Sequence, residues 1–426
     1  MTFARGVALP ADQTTVRQAN LGVVLRRVAS SRSRSRAQIA AETGLTRGTV
    51  SSLVAELIDL ELVRETGETT SPRGVGRPGV ALELADVVVG VGLEVNVDYV
   101  AVSVEDLTGA VRYERRSYRD NRGSSPGPVL DRLGREACHA LEAVEREGLR
   151  PVGLSVAVPG LVEEATGTIV VAPNLGWQEL AVSAELEARL DLPVHVENES
   201  NLAALAEHWT GAAVGIEDFV CVFGEVGVGG GIVLGGRLFR GSHGYGGEFG
   251  HVSVDPGGDA CACGSRGCVE TLAGQEAIAR AAGVSPVALR SRSLTDELVR
   301  RAEVGAPEVV RALADAGRSL GIALASTFNL FDVQAVVLGG CFGPLAPWLA
   351  GEVRRTLEER SLAARSGSFV VLPSAFGDGA AVRGAAALSL HRLLDAPWTA
   401  TIDASGSARR ASEGARRGKE VAIGRR

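Results

Sequence analysis

One histidine and three cysteines, His251, Cys261, Cys263 and Cys268, fall within eighteen residues of a glycine-rich loop that runs from Glu248 to Glu270. An imidazole nitrogen and three thiolates make up a donor set for tetrahedral Zn²⁺, and glycines at 257, 258, 264 and 267 let the backbone fold tightly around one ion. A Cys3His set fills all four positions, so the predicted Zn²⁺, one per chain, is structural and leaves no open position for a catalytic water. The competing reading is three unrelated reduced cysteines, but cysteine is normally a buried apolar residue and this loop is polar. Two acids, Glu248 and Glu270, flank the loop. Metal on one ring nitrogen of His251 leaves the other free to hydrogen-bond, which fixes the ring's orientation and tautomer. An imidazole and two carboxylates in fixed relation suit a polyol.

At 426 residues, with 45% apolar and 4% aromatic content, the chain is long enough for two or three domains with real cores. No apolar run reaches the ~18 residues of a membrane span, and the start lacks an export signal. The chain is therefore expected to be cytoplasmic. Six cysteines, the other three scattered at 138, 221 and 341, fit a reducing compartment. The net charge is −7, yet residues 1–80 hold eleven arginines against seven acids. A basic head on an acidic body predicts that the head alone meets a polyanion. The sole lysine is Lys419, which rules out a G-x-x-x-x-G-K-[ST] phosphate loop.

In that head, apolar residues at 21, 24, 25 and 28 predict a helix over Val16 to Ser30. S-R-A-Q (35–38) is a capping-box signature, and a short second helix runs from it to Gly44. Thr46 caps a third helix, in which Val50, Leu53, Val54, Leu57 and Ile58 share one face. Its outward face carries Arg47, Thr49, Ser51 and Ser52. Two strands, Leu62 to Glu65 and Val80 to Leu84, flank a Ser/Gly/Pro/Arg loop (67–79), the outline of a wing with Arg77 at its tip. Helices joined by a glycine turn, the second opening with small polar residues and an arginine, place a recognition helix in a DNA major groove. A guanidinium at a wing tip suits a narrow minor groove. The candidate contacts to a double-stranded operator are Arg36, Thr46, Arg47, Thr49, Ser51, Ser52 and Arg77.

From Val87 a second composition begins. Val87–Val95, Tyr99–Glu105 and Val111–Ser117 read as a three-strand meander, followed by alternating helices and strands up to a helix at 198–210. Phe219–Phe223, Val228–Leu234 and Arg237–Phe239 open a second meander, with helices near 274–280, 307–329, 345–360 and 379–394 after it. Two units of this form predict an internally duplicated α/β body with a ligand cleft between its lobes. The expected division is 1–84, 85–205 and 206–394, with 395–426 as a disordered tail poor in apolar periodicity.

These residues resemble the ROK family of sugar-responsive repressors and sugar kinases. The resemblance lies in G-E-F-G-H (247–251), C-A-C-G-S-R-G-C-V-E (261–270), V-E-N-E-S-N-L-A-A (196–204), G-V-G-G-G-I (227–232) and the N-terminal winged helix. It implies an α/β fold: a winged helix-turn-helix followed by a two-lobed, actin-like sugar-kinase body of RNase H-like type. It also implies zinc on His251, Cys261, Cys263 and Cys268, and sugar hydroxyls held by Asn198, Glu199, Glu248, His251 and Glu270, with Asn174 joining them. Members of the family are commonly homodimers or homotetramers, which suits a palindromic operator.

Three departures bear on function. The family's kinases carry an aspartate as general base directly after the asparagine, where this chain has Glu199. The extra methylene moves the carboxylate by roughly 1–1.5 Å, and a displacement of about 1 Å can reduce the rate by on the order of 10². The kinases' first phosphate turn, an acid followed after one residue by Gly-Gly-Thr, reads E-V-N-V-D (94–98) here. Their second, Gly-Thr, reads Glu225–Val226. Glycines that bring backbone amides to phosphate are lost and negative charge is added. The expectation is a non-enzymatic, sugar-responsive regulator, a repressor of carbohydrate genes, with a monosaccharide effector. Two alternatives stand beside it: an active sugar kinase with an added DNA-binding domain, and an interaction module whose cysteine cluster meets DNA.

Overall fold

The computed structural model describes residues 12–30, 33–70, 79–285 and 291–401. The chain opens with α1 (Gln13–Ala29), whose first turn is capped by Asp12 accepting from Thr15 N at 2.6 Å. Leu21, Val24, Leu25 and Val28 are its buried face. The short β1 (Arg34–Ser35) leads into α2 (Arg36–Thr43), which starts with the Ser35/Gln38 capping box and ends at Gly44 with φ 73°, the left-handed stop glycine favours. Helix α3 (Arg47–Asp59) is capped by Thr46 and buries Val50, Leu53, Val54 and Leu57. Strands β2 (Val63–Thr70) and β3 (Gly79–Leu84) pair antiparallel and complete a three-stranded sheet with β1. Arg77 and the rest of the predicted wing tip lie outside the described residues.

The body is built on two five-stranded sheets. The first contains β4 (Val88–Val95), β5 (Tyr99–Asp106), β6 (Val111–Tyr118), β7 (Arg150–Val158) and the later β11 (Val194–Asn198), in the order β11-β7-β4-β5-β6. Helix α4 (Pro126–Arg146) separates β6 from β7. A small sheet of β8 (Leu161–Glu163), β9 (Thr168–Ala172) and β10 (Trp177–Ala181) follows, then α5 (Val182–Leu190). After β11 comes α6 (Glu199–Thr210). The second sheet takes β12 (Phe219–Gly224), β13 (Val228–Leu234) and β14 (Arg237–Leu238), continues after the metal loop and α7 (Val269–Ala273), α8 (Gln275–Ala281), α9 (Ser291–Glu303) and α10 (Pro307–Phe331) with β15 (Ala335–Gly340), and ends, beyond α11 (Phe342–Arg360) and α12 (Leu362–Ser366), with β16 (Val370–Pro373). Its order, β14-β13-β12-β15-β16, repeats that of the first sheet, and so does its pattern of antiparallel meander and parallel crossovers. This is the two-lobed α/β architecture expected of an actin-like body. Among the described residues no helix is long and apolar enough to cross a membrane.

The last helix, α13 (Ala380–Asp395), corrects the sequence-based division that placed 379–394 with the second lobe. A Cβ on Gly90 or Gly92 of β4 would overlap Ala386 O or Val382 O, so the glycines let α13 lie directly on the first sheet. Helix α6 does the reverse: it leaves the first sheet and packs on β13, where a Cβ on Gly229 or Gly231 would strike Ser200 or Ala204. The two helices meet where Gly384 fits against Leu202 O. Each lobe thus lends a helix to its neighbour, and buried Leu202, Ala385 and Leu388 join Phe219 and Val337 in one core between the sheets. The expected disordered tail also needs correction at its start. Residues Pro397–Thr401 form a 3₁₀ turn, and Ala400, 5% exposed, joins Leu390 and Leu393 in the core of the N-terminal helices. The rest of that tail, from residue 402, lies outside the described residues.

Candidate functional site

The loop after β14 turns through the 3₁₀ segment Phe249–His251 and is cross-braced by bridges between Ser253 and Cys268 and between Ala260 and Arg266. Gly267, with φ 59°, is wedged against the Asp255 carbonyl, where a Cβ would overlap it. This folding brings the four predicted metal ligands together, their donor atoms all within 4.8 Å of one another. Cys261 Sγ lies 3.6 Å from His251 Nδ1, and Cys263 Sγ lies 3.8 Å from Cys268 Sγ. With metal–sulfur bonds near 2.3 Å and metal–nitrogen bonds near 2.05 Å, a tetrahedron has S···N and S···S edges of about 3.6 and 3.8 Å. The group could therefore hold a tetrahedral metal ion. Nδ1 of His251 is the nitrogen turned to the sulfurs, while Nε2 lies 3.9 Å from Glu248 Oε2. Glu270 Oε1, 3.5 Å from Nδ1, accepts from the Cys261 thiol at 2.8 Å.

The ring opens onto a cleft of roughly 90 Å³ between the lobes. All six residues singled out from sequence line it: Asn174, Asn198, Glu199, Glu248, His251 and Glu270. They reach it from different elements, which long-range packing must align. Asn174 comes from the β9–β10 turn, and Asn198 and Glu199 from the β11–α6 junction. Gly227 lets the β12–β13 turn pass between Asn174 and Glu270, since a Cβ there would stand 2.7 Å from Glu270 Oε2. Asn198 is largely a positioning residue. Its Oδ1 accepts from Ser200 N at 2.8 Å and Asn201 N at 3.1 Å, capping α6, and its Nδ2 donates to Gly160 O at 2.9 Å. Burial, with Glu225, Glu94 and Glu248 nearby, pushes the Glu199 carboxyl well above the usual range. Burial also raises Glu248, against the pull of His251.

Two further residues share the cleft, and sequence reading had treated them only as departures from a phosphate site. Asn96, in the β4–β5 turn of the first lobe, donates from Nδ2 to Glu225 Oε2 in the β12–β13 turn of the second. Behind them Glu94 is fully buried and accepts from Tyr99 OH at 2.7 Å. Burial pushes the Glu94 carboxyl up to about 7, and burial with Glu94 nearby pushes that of Glu225 up to about 8. Arg116 pairs with Asp378 at the head of α13 and lies 4.4 Å over the Tyr99 ring.

Residues 90–392 match the ROK family. The chain belongs to it. Among its relatives is the xylose repressor of Bacillus subtilis (strain 168), 29% identical over 386 residues, which are 90% of this chain and 98% of that one. A solved ROK family transcriptional regulator, a homolog of the Escherichia coli MLC protein, is similar with a TM-score of 0.75 at 28% identity, covering 90% of this chain and 99% of its own. A ROK family glucokinase from Streptomyces griseus, solved with glucose and AMPPNP, gives 0.61 at 28% identity, covering 71% and 99%. The likeness to the regulators thus extends beyond the shared ROK body, whereas the glucokinase leaves more of this chain unmatched.

The ROK body carries the N-terminal helices on its flank, and the candidate DNA residues lie there unevenly. Thr46, Arg47, Ser51 and Ser52 are exposed at the start of α3, and Thr49 is half-buried. Thr46 and Thr49 hydroxyls bond each other at 2.9 Å, and Ser52 Oγ accepts from Arg17 at 3.4 Å. Arg36 is half-buried and pairs with Glu65. Arg26 holds Asp395 at the end of α13 at 2.8 Å, and Arg150 donates to Leu60 O and Ala400 O, so the helices are tied to the body by its C-terminal segment.

Proposed function

We propose that this ROK chain is a sugar-responsive, DNA-binding transcriptional repressor whose kinase-like body senses a monosaccharide without transferring phosphate. The observation that carries the reading is the Asn96–Glu225 contact. Side chains of the two turns that would cradle phosphate bond each other across the lobes, while the polyol side of the cleft keeps its polar residues. The name of the Bacillus subtilis relative and the regulators' wider coverage support it. On this reading α3 enters the major groove with Arg47, Thr49, Ser51 and Ser52, Arg36 and Thr46 contact phosphates, and Arg77 reaches the minor groove. The metal is Zn²⁺, and it stiffens the loop that carries His251, Glu248 and Glu270 against the sugar. The protein acts in the cytoplasm as a homodimer or homotetramer matched to a palindromic operator. The sugar binds the non-operator state more tightly, which shifts the population away from DNA.

Fluorescence anisotropy with duplex DNA from the region upstream of its gene tests this. Binding should be lost on Arg47→Ala and weakened by one monosaccharide from a panel. Absence of any sugar effect on the DNA complex sinks the sensing claim. A coupled ADP-release assay over the same panel should stay below about 0.1 s⁻¹, and faster turnover would make the chain a kinase.

A further inference from the structure

A second cavity, of roughly 380 Å³, lies away from the interlobe cleft, where the body meets the N-terminal helices. Ligand pockets commonly measure about 300–1,000 Å³, so its size suits a metabolite. Strands β7 and β11 form one wall, the end of α13 a second and the 3₁₀ turn Pro397–Thr401 a third. Arg150 and Arg392 both line it. The one carboxylate among its lining residues, Glu187, already accepts from Val194 N at 3.0 Å and from the Ser183 hydroxyl at 3.2 Å.

Several donors around this cavity are unspent. Arg150 gives one terminal nitrogen to Leu60 O at 2.7 Å and the other to Ala400 O at 3.2 Å, but its buried Nε–H meets no acceptor, the Glu61 carboxylate standing 3.7 Å away. Ser155 and Ser389, both buried, bond each other at 2.9 Å. That pair uses one of its two hydroxyl protons, and the other has no acceptor among the described residues. Burial, with Arg392 and Arg240 beside it, pushes the His195 ring down to about 4, so the ring is neutral and its Nε2 accepts from Arg392 at 2.9 Å. The Arg392 charge is thus met by a neutral ring and, at 3.6 Å, by the partly exposed Glu164. Guanidinium and hydroxyl donors left without acceptors are what an anion engages. Buried Leu154 and Val194 add an apolar wall, which a bare inorganic ion would leave uncovered.

We propose that this cavity is a second ligand site and that it takes a small organic anion, phosphorylated or carboxylated, with Arg392, Arg150 and the Ser155–Ser389 pair as its donors. The site is independent of what the interlobe cleft holds. Arg150 also ties the cavity to Leu60, and Ala400 packs in the core of the N-terminal helices, so an occupant sits at the joint between head and body.

Isothermal titration calorimetry of the metal-replete full chain at pH 7.5 and fixed ionic strength tests it. Glycerol 3-phosphate and 3-phosphoglycerate probe the phosphorylated class, lactate and glycerate the carboxylated class, and glycerol is the neutral control. At least one of the anions should bind with a Kd below about 1 mM, while glycerol does not. Arg392→Gln, at a half-exposed position where the fold tolerates the change, should weaken that anion at least about tenfold. Glu248→Gln, in the interlobe cleft, should change its affinity less than about twofold. Absence of binding in both classes overturns the inference, as does an Arg392→Gln protein that binds as tightly as wild type. A loss in Glu248→Gln equal to that in Arg392→Gln would put the anion in the cleft and overturn it as well.

Discussion

At the metal-loop end of the cleft, Glu248, His251 and Glu270 are fixed by a cross-braced loop and line the cavity. At the opposite end, Asn96 donates to Glu225 across the lobes. Both ends belong to one ROK body, yet they depend on different kinds of support. A loop with its own metal ligands carries its rigidity locally, so its side chains can keep one geometry whatever the lobes do. A phosphate cradle depends instead on unoccupied backbone amides and on glycines, and a single side chain with an amide can fill it. Asn96 and Val97 stand where the resemblance to the family's kinases would place Gly-Gly, and Asn96 makes a contact between lobes there.

The largest expected effect lies at the metal end. Cys268→Ser, or removal of the metal by chelation, should lower sugar affinity by at least about tenfold and the melting temperature by more than about 5 °C, because the loop loses the ion that ties its four ligands together. Differential scanning fluorimetry and calorimetry report the two. If sugar affinity survives metal removal, the metal end of the cleft does not owe its geometry to the ion. A smaller effect is expected from Asn96→Ala, which leaves the Glu225 carboxyl without its donor and should reduce stability by about 1–2 kcal/mol. Sugar affinity should change less than about tenfold. A loss as large as that of Cys268→Ser would show that the contact between lobes, and not the loop, organises the cleft.

How much of this was legible in the sequence follows from the range of the interactions involved. The N-terminal helices were, because their cores repeat at helical spacing and their caps are local: Ser35 with Gln38, Thr46 with Thr49, Gly44 at a left-handed stop. The metal ligands were, because three of the four lie within eight residues of one another. The small sheet β8–β10 has no local signature in the sequence, since only the antiparallel pairing of Trp177–Ala181 with Thr168–Ala172 makes it a strand pair. Helix α9 was missed, its sequence being more polar than its neighbours. The exchange of α6 and α13 between lobes was not legible at all. Its cause is a set of glycines, Gly90, Gly92, Gly231 and Gly384, each of which reads locally as a weak point in a strand or helix and becomes meaningful only once the facing backbone is known. The Asn96–Glu225 bond joins residues 129 apart, and each residue alone signals only that a phosphate turn has been lost.

The smallest predicted effect concerns protons. Glu94 and Glu225 stay protonated in the folded chain up to about pH 7 and about pH 8, whereas in the unfolded chain they would have ionised in the ordinary carboxylate range. The folded state thus holds more protons than the unfolded one across that interval, and stability must fall as pH rises through it. The contribution is fully present below the ordinary range and is lost as pH passes about 8. Metal binding by the thiols slopes the opposite way, since thiolates form as pH rises, so the raw melting curve mixes the two ends of the cleft. The difference between wild type and Glu225→Gln separates them, because the amide keeps the bond from Asn96 but cannot titrate. Melting temperatures taken from pH 6 to pH 9 should show the wild type losing more stability than the variant by a few degrees. Parallel curves would mean that the carboxylates ionise freely and that the closed end of the cleft is less buried than its packing implies.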